Sequence, residues 1–562
     1  MDYIQKARHF EENEKEFHLG FLPTEQSSPL TRGLDRIFAA STQDGVRMLQ
    51  RVDRNVLEMA EKIIGSNAYN KMVLDGTAAL TNGCKIVFSG CGATGRLAIL
   101  LEGMWRRYFL DNPGLAAERW GDSVFSIMTG GDYALVRSVE FFEDYHEFGR
   151  QQVRELGMGA GDVLIAITEG GETSSVLGTV EEAARLGAKI CLLFNNPADL
   201  LYSKLERCRR ALENPAVTVL DLSCGPMAVA GSTRMQATTS EQLVAGAALE
   251  EILRQVTGGE ASGTDASSEF RSLLYQLGLP DAVSAMAGYI DFEADMYRRH
   301  GLITYFADDY LLDIFTDTTE RSPTFMVPPF RKSGDGISAQ SWAFVKNPLM
   351  PTPAAWERCL SRSPRCLTWT RAEYQRMGAA GQIAQTPPRL DVAELEKFII
   401  GSEDTPCRYQ NTPNAAVLIS VGDSVPPRLE EAFARRANNY EDRKHLTLGR
   451  PKNLPGEFVV PFKTAGSPLH LMEHLALKLV LNTVSTGTMV KLGRVESNWM
   501  SWVDISNKKL LDRGVRLISE LCGLPYTHAC TELFKSIDEL ASTPPGEERP
   551  SPVQYTLRRL AK

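Results

Sequence analysis

Glycines 90, 92 and 95 stand close together in Gly90-Cys91-Gly92-Ala93-Thr94-Gly95-Arg96. The apolar run Ile86-Val87-Phe88 before them reads as a buried strand, and Arg96 to Tyr108 after them has apolar residues at helical spacing. Glycines at a strand-to-helix turn present backbone N–H groups and the positive end of a helix dipole, which together suit an anion such as a phosphate. A second turn follows another strand. Val163 to Thr168 runs into Glu169-Gly170-Gly171-Glu172-Thr173-Ser174-Ser175, where three hydroxyls open a helix. They can cap that helix or bind an anion there. Glu169 and Glu172 weigh against a phosphate unless they point away. A third turn, Gly231-Ser232-Thr233-Arg234, joins hydroxyls to a cation at another helix start. The candidate binding residues are Gly92, Ala93, Thr94, Gly95, Arg96, Gly171, Glu172, Thr173, Ser174, Ser175, Ser232, Thr233 and Arg234.

The elements around these turns set a fold class. Residues 1 to about 35 look irregular, and about 44 to 80 reads as helices with an apolar stripe. Strand-like runs follow at Lys85 to Ser89, Val124 to Met128, Val163 to Thr168, Lys189 to Phe194 and Ala216 to Leu220. Helical runs lie between them, such as Arg137 to Gly149 and Ser175 to Leu186. This alternation implies a parallel sheet covered by helices on both faces. The small, polar stretch 257–268 reads as a linker. A second, less regular alternation has strands near Leu302 to Phe306, Ala416 to Val421 and Phe458 to Pro461. From about Glu473 to Leu540 the chain reads as mostly helical, and 542–554 has a loop-like composition.

Bulk properties narrow the class. The 562 residues allow about three or four domains. A net charge of −9 with scattered Lys and Arg argues against nucleic acid as a partner. No run approaches the roughly 20 apolar residues of a membrane span, and the polar start is no secretory signal. The ten cysteines contain no Cys-x-x-Cys pair, so a reduced, cytoplasmic setting without structural zinc is the simplest reading. Nothing in the sequence calls for a cofactor.

Taken together, the three turns resemble the sugar isomerase (SIS) domain, a doubly wound domain that grips phosphosugars with Ser/Thr-rich loops. The resemblance extends to the family of N-acetylmuramic acid 6-phosphate etherases and the glucokinase regulatory protein. It rests on "LPTEQSSPLTRGLD", "SGCGATGRLA", "GGDYALVRSVEFFED", "GPMAVAGSTRM" and residues 478–510, in that order. It covers about 22 to 535 and is weakest over 330–450. Etherases of this family have one SIS domain and pair up; the regulatory protein has two in tandem with a helical cap. The length and the second α/β half resemble the tandem form. The resemblance thus implies two doubly wound SIS domains packed as an internal pseudo-dimer. The expected division is an N-terminal segment 1–75, domains at 76–262 and 268–490, and a cap at 491–562.

The etherase reaction, as the resemblance implies it, removes lactate from a sugar 6-phosphate. It needs one carboxyl to take the proton beside an open-chain aldehyde and another to protonate the leaving oxygen. Glu143, in "SVEFFED", matches one family carboxylate. The other family position, counted from Gly95, is Met104. Glu102, two residues earlier, should face about 200° away around the helix. A Glu after the Gly-Pro is likewise replaced, by Met227. The second half contains "DTTERSPTF", which resembles the missing stretch and puts Glu320 in the catalytic position. Its preceding loop lacks glycine and carries Asp308 and Asp309, which would repel phosphate. The first half thus keeps a cradle and lacks a carboxylate; the second does the reverse. In a pseudo-dimer Glu320 could reach the first cradle.

His470, Glu473 and His474 have the H-x-x-E-H spacing, a weak metal signal in an apolar helix; His474 is also a candidate for sugar ring opening. Lys478 and Lys491 read as surface lysines or phosphate partners, and Trp499 and Trp502 as packing or a partner surface. Two readings stay open. One is a sensor that binds a hexose or amino-sugar phosphate and signals to a protein partner such as a sugar kinase. The other is an enzyme, an etherase-type lyase or an aldose–ketose isomerase. The discriminator is whether two carboxylates converge on one cradle. Beyond the internal pseudo-dimer, a homodimer is left open.

Overall fold

The computed structural model describes residues 2–139, 141–259, 265–410, 413–503, 505, 507–541 and 550–561. Residues 260–264 of the linker-like stretch and 542–549 of the C-terminal tail lie outside them. Two five-stranded parallel sheets dominate. The first contains β1 (Ile86–Gly90), β2 (Val124–Met128), β3 (Val163–Ile167), β4 (Lys189–Phe194) and β5 (Val217–Asp221), in the order β2-β1-β3-β4-β5. The second contains β6 (Leu302–Phe306), β7 (Ala343–Lys346), β8 (Asn414–Gly422), β9 (Asp442–Gly449) and β10 (Glu457–Val460). Its order, read from the far edge, is β7-β6-β8-β9-β10, so the two halves share one doubly wound topology. Strands β1 and β3 are buried throughout, as continuous apolar runs in a sheet covered on both faces must be.

Five helices position the site. They are α1 (Ala93–Asp111), α2 (Ser174–Arg185), α3 (Gln236–Thr257), α4 (Leu311–Phe325) and α5 (Leu471–Lys491). α1 leaves β1 and α4 leaves β6, so these two are equivalent helices of the two halves. One hydrophobic cluster runs through both, including Leu100 and Met104 of α1, Phe315 of α4 and Trp356. The packing of α1 on β1 depends on Gly90. A Cβ there would lie 2.4 Å from the carbonyl carbon and oxygen of Thr94. Gly90→Ala is expected to force α1 off the sheet at a cost of about 1–3 kcal/mol or more, measurable by urea denaturation.

Several expectations change. The N-terminal segment is not irregular throughout. Tyr3–Asn13 is a helix closed by a capping box between Asp2 and Gln5, a signal present in the sequence. Its Phe10 packs against Phe534. Arg137 to Gly149 is not one helix. The chain makes short turns at Asp132–Leu135 and Phe142–Asp144, with Phe141 at φ +68°, and only His146–Glu155 is helical. Strands β7 and β9 were not expected. β7 has only four residues at a sheet edge, and β9 opens with the polar run Asp442-Arg443-Lys444. The 473–540 region is broken by a two-stranded hairpin, in which Trp499 is buried, so it offers no partner surface. Trp502 lies under the guanidinium of Arg494. In the tail, Pro552–Leu560 is helical. Among the described residues no helix is long and apolar enough to cross a membrane.

Candidate functional site

A cavity of about 350 Å³ opens at the C-terminal end of the first sheet, beside the turn between β1 and α1. Open parallel sheets bind ligands there, where neighbouring connections diverge to opposite faces. Gly92 caps α1 at φ +56°, ψ −121°, a conformation that favours glycine. Gly92 and Ala93 line the cavity. Thr94, Gly95 and Arg96 do not. The Thr94 hydroxyl folds back onto Cys91, donating to its carbonyl at 2.9 Å, and Gly95 packs on Met128 and Gly90.

Arg96 is 1% exposed and buried behind the turn. It donates to the carbonyls of Leu135 and Ala134 and forms an ion pair with Glu320. Its role is to hold a carboxylate of the other half, not to present itself to a ligand.

In the second turn Thr173 and Gly170 line the cavity, and Thr173 is the residue before α2. Gly171, Glu172, Ser174 and Ser175 are absent from the lining. Ser175 is fully buried and shares a 2.8 Å hydrogen bond with Thr129. Glu172 is bound by Arg207 at 2.5 Å and Lys509 at 2.9 Å, so its charge is spent inside the protein. The third turn contributes most directly. Gly231, Ser232, Thr233 and Arg234 all line the cavity. The buried Ser232 hydroxyl has no partner, which leaves it available to a ligand. Arg234 is tied to Asp317 at 3.1 Å and to Ser485 and Thr486.

Five carboxyl groups line this space, Glu25, Glu143, Asp144, Glu169 and Glu320, and the last comes from the other half. Glu320 comes from α4 of the second half and its side chain is 12% exposed. Glu143 keeps accessible surface towards the cavity, while the surrounding protein desolvates its carboxyl. That desolvation raises its pKa against Lys509, with Glu172 adding to the rise. Glu169 accepts from the Thr233 hydroxyl at 3.2 Å. Burial pushes it up to about 7, with Glu320 adding to the rise and a backbone hydrogen bond and Lys509 opposing it. Two cations the sequence reading did not single out complete the wall. Lys509 and Arg513 reach across from the C-terminal region and hold Glu25, at 3.7 Å and 2.9 Å. Burial alone would raise Glu25; Arg513 and Lys509 instead hold it at about 2. Burial would lower Lys509, but Glu172, Glu25 and Glu143 outweigh it and keep the ammonium charged. The signal for Lys509 and Glu25 lay in the quoted stretches 478–510 and "LPTEQSSPLTRGLD", whereas Arg513 lies just beyond the first.

The missing carboxylate of the first half has a geometric explanation. Ile86 and Leu302 open equivalent strands, and the same separation carries Met104 to Glu320. Each residue of this pair faces the other half's cavity. Met104 lines a second cavity of about 290 Å³, with Asp308, Asp309, Arg358, His470 and His474. There Arg358 already occupies Asp308 and Asp309. The first cavity therefore combines its own glycine turn with a crossed-over Glu320, while the second has neither a glycine turn nor a carboxylate at that position. Met227 is fully buried and pairs through its backbone with Gln26 and Ser28, so it anchors the N-terminal segment. Glu102 faces away from both cavities, as its helix position required, and binds Arg106, Arg362 and Arg365.

The remaining candidates are held by neighbouring groups. Lys478 is not a surface lysine: it donates to the Arg234 carbonyl at 2.7 Å. Lys491 is held by Asp291 and Thr42. His470 contacts Glu473, whereas His474 turns to Asp313 at 2.9 Å. Among the described residues no group of three or more His, Cys, Asp or Glu is placed to hold a metal.

The family model of the glucokinase regulatory protein N-terminal SIS domain matches residues 70–184. The chain is 29% identical over 228 residues to N-acetylmuramic acid 6-phosphate etherase 1 of Bacillus licheniformis, covering 40% of this chain and 67% of that protein. It is 30% identical over 225 residues to the same-named etherase of Caldanaerobacter subterraneus, covering 40% and 65%. The match thus spans about two thirds of the length of these curated relatives. Among solved structures, tagatose-6-phosphate ketose/aldose isomerase from Escherichia coli aligns with a TM-score of 0.43 at 11% identity, covering 82% of this chain and 96% of that one. The C-terminal domain of glucosamine-fructose-6-phosphate aminotransferase from Francisella tularensis aligns at 0.42 and 12%, covering 79% and 97%. Residues 70–184 thus match an SIS-domain model, and the chain is similar to both the etherase and the regulatory-protein arms of the family resemblance read from its sequence.

Proposed function

We propose that the protein binds a hexose or amino-sugar phosphate in the first cavity and acts on it as an etherase-type carbon–oxygen lyase. One observation carries this reading: Glu143 and Glu320, one from each half, line the same cavity as the glycine turn. The phosphate would sit among the N–H groups at the start of α1, the Ser232 hydroxyl and the Lys509 ammonium. Glu320, ion-paired with Arg96, is assigned as the base that takes the proton from the carbon beside the open-chain aldehyde. The C–H electrons form a carbon–carbon double bond, and the ether C–O bond breaks. Glu143, whose pKa is raised by desolvation, supplies the proton to the leaving oxygen. The domain division given above belongs to this reading, with the second domain lending Glu320 to the first. So does a reduced, cytoplasmic setting, in which all ten cysteines remain free thiols.

The test is incubation with N-acetylmuramic acid 6-phosphate and assay of released D-lactate. Glu143→Gln is expected to slow release by about 10²–10⁴-fold, the usual contribution of a positioned acid. Absence of lactate from the folded wild-type protein defeats the lyase assignment.

A second reading is supported by the match of residues 70–184 to the regulatory-protein domain. On it, the same cavity senses a sugar phosphate and the protein acts on a sugar kinase. Thermal stabilisation by a hexose phosphate without lactate release, together with altered kinase activity on addition of the protein, would select it.

A further inference from the structure

Between the two cavities lies a small chamber of about 40 Å³, enough for about three to four waters at ~10–15 Å³ each. It shares Ala93, Arg234 and Glu320 with the first cavity, and Leu100 and Asp313 with the second. One stripe of α4 forms its floor. Asp313, Thr316, Asp317 and Glu320 lie at positions i, i+3, i+4 and i+7, so they fall on one helix face. Asp313 and Glu320 are two turns apart, about 10 Å along the axis.

Three residues that line the chamber each carry a buried polar atom with no hydrogen-bond partner: Arg234 Nε, Gln242 Nε2 and Thr316 Oγ1. Arg234 and Gln242 are only 3% and 2% exposed. Buried donors are rarely left unsatisfied, and beside a space of this size, bordered by aliphatic surface as well as by charged side chains, the physical remedy is water bound at the polar groups. At the far end Asp313, itself 3% exposed, holds His474 Nδ1 at 2.9 Å. His474 lines the second cavity. The H-x-x-E-H residues singled out in the sequence therefore separate. His470 and Glu473 pair with each other, while His474 of α5 binds Asp313 of the stripe.

We infer that the chamber holds a water chain that carries protons between Glu320 and the Asp313–His474 pair, making the second cavity the proton port of the first. The inference rests on the reading of Glu320 as the base. After Glu320 takes a proton from the substrate carbon, its carboxylic acid gives that proton to a chamber water. The water passes one of its own protons on towards Asp313 and His474, and His474 releases a proton into the second cavity. Glu320 returns to the carboxylate, and no electron is gained or lost.

The charged groups facing the chamber are Arg96, Arg234 and Lys478 against Asp313, Asp317 and Glu320, so the two signs balance and a proton in transit meets no uncompensated charge. Asp317 is fixed by Arg234, Arg321, Asn482 and Ser485 and acts as a counter-charge. The Lys478 amine, lowered by burial and by Arg234 to about 8, adds an exchangeable group on the wall. This gives the degenerate second half a reason to keep an open cavity lined by a histidine.

The experiment has three arms. A high-resolution crystal structure of the free protein should show ordered water within hydrogen-bond distance of Arg234 Nε, Gln242 Nε2 and Thr316 Oγ1; a dry chamber overturns the inference. In the lactate assay, Thr316→Val and His474→Ala should each lower kcat about tenfold or more with KM unchanged, and imidazole should restore the His474→Ala variant. Unchanged kcat in both variants overturns it as well. If the wild-type protein releases no lactate, the lyase reading fails and a third arm decides the chain by itself. The His474 titration is followed by NMR in the free protein. Glu320→Gln should shift that titration, and the shift should be smaller in a Thr316→Val background, where only the through-space part of the coupling remains. A titration insensitive to Glu320→Gln overturns the connection.

Discussion

Glu320→Gln is expected to lower lactate release from N-acetylmuramic acid 6-phosphate by about 10²–10⁴-fold while leaving sugar-phosphate binding within a few-fold. The expectation follows from the division of labour in the first cavity. On the proposed reading the glycine turn, Ser232 and Lys509 supply the anion contacts, and Glu320 contributes none of them. A fall in kcat with KM retained is the mark of a group that works in the transition state. The substitution also leaves Arg96 buried without its carboxylate, so unfolding should be followed in parallel. Arg96 keeps the carbonyls of Leu135 and Ala134 as acceptors, which limits that cost. A comparable fall in binding and activity together would instead place Glu320 among the binding groups.

Glu102→Ala is expected to destabilise the whole chain by about 3–5 kcal/mol, the usual cost of breaking a buried ion pair. Glu102 is fully buried on α1 and is the common partner of three guanidinium groups. Arg106 lies one helical turn along at 2.7 Å, Arg362 is at 3.1 Å, and Arg365 also binds it, while the Ser126 hydroxyl donates to it at 2.6 Å. Arg362 and Arg365 belong to the second half, and Arg362 also holds Asp132 of the first at 2.6 Å. Removing the carboxylate strands the cations at the seam between the halves.

The pH dependence has a defined sign. Burial pushes Glu102 up, but Arg362, Arg365 and Arg106 outweigh it and hold it below its ordinary value of 4.5. A carboxylate with a depressed folded pKa binds fewer protons folded than unfolded. Its contribution is complete above about pH 4.5 and is lost as pH falls through the folded value. Urea denaturation of wild type and Glu102→Gln should therefore differ most at neutral pH and converge in acid. A difference that persists unchanged into acid would mean that packing, not charge, sets the effect.

The sequence by itself determined the parallel α/β class, the glycine turn after β1 and the hydroxyl-rich turns before α2 and α3. Each of these is local. A buried strand is an apolar run, and a strand-to-helix turn that needs the conformation of Gly92 must have glycine. It also determined that Glu102 and Met104 face different ways, because helical spacing fixes relative direction within one element. What lies opposite each face was decided only by the tertiary structure. Spacing gives no sign that Met104 meets the second cavity, or that its counterpart Glu320 crosses to the first. Nor does it show that Arg96 turns inward to hold Glu320, or that Ser175 spends its hydroxyl on Thr129. Lys509 and Glu25 lie at opposite ends of the sequence, yet they meet at one wall because the terminal segments fold back over the same sheet. The apparent loss of a carboxylate from the first half was a property of each half read alone. The complete pair exists only where the two halves pack, because contacts between distant segments are set by packing and leave no periodicity in the chain.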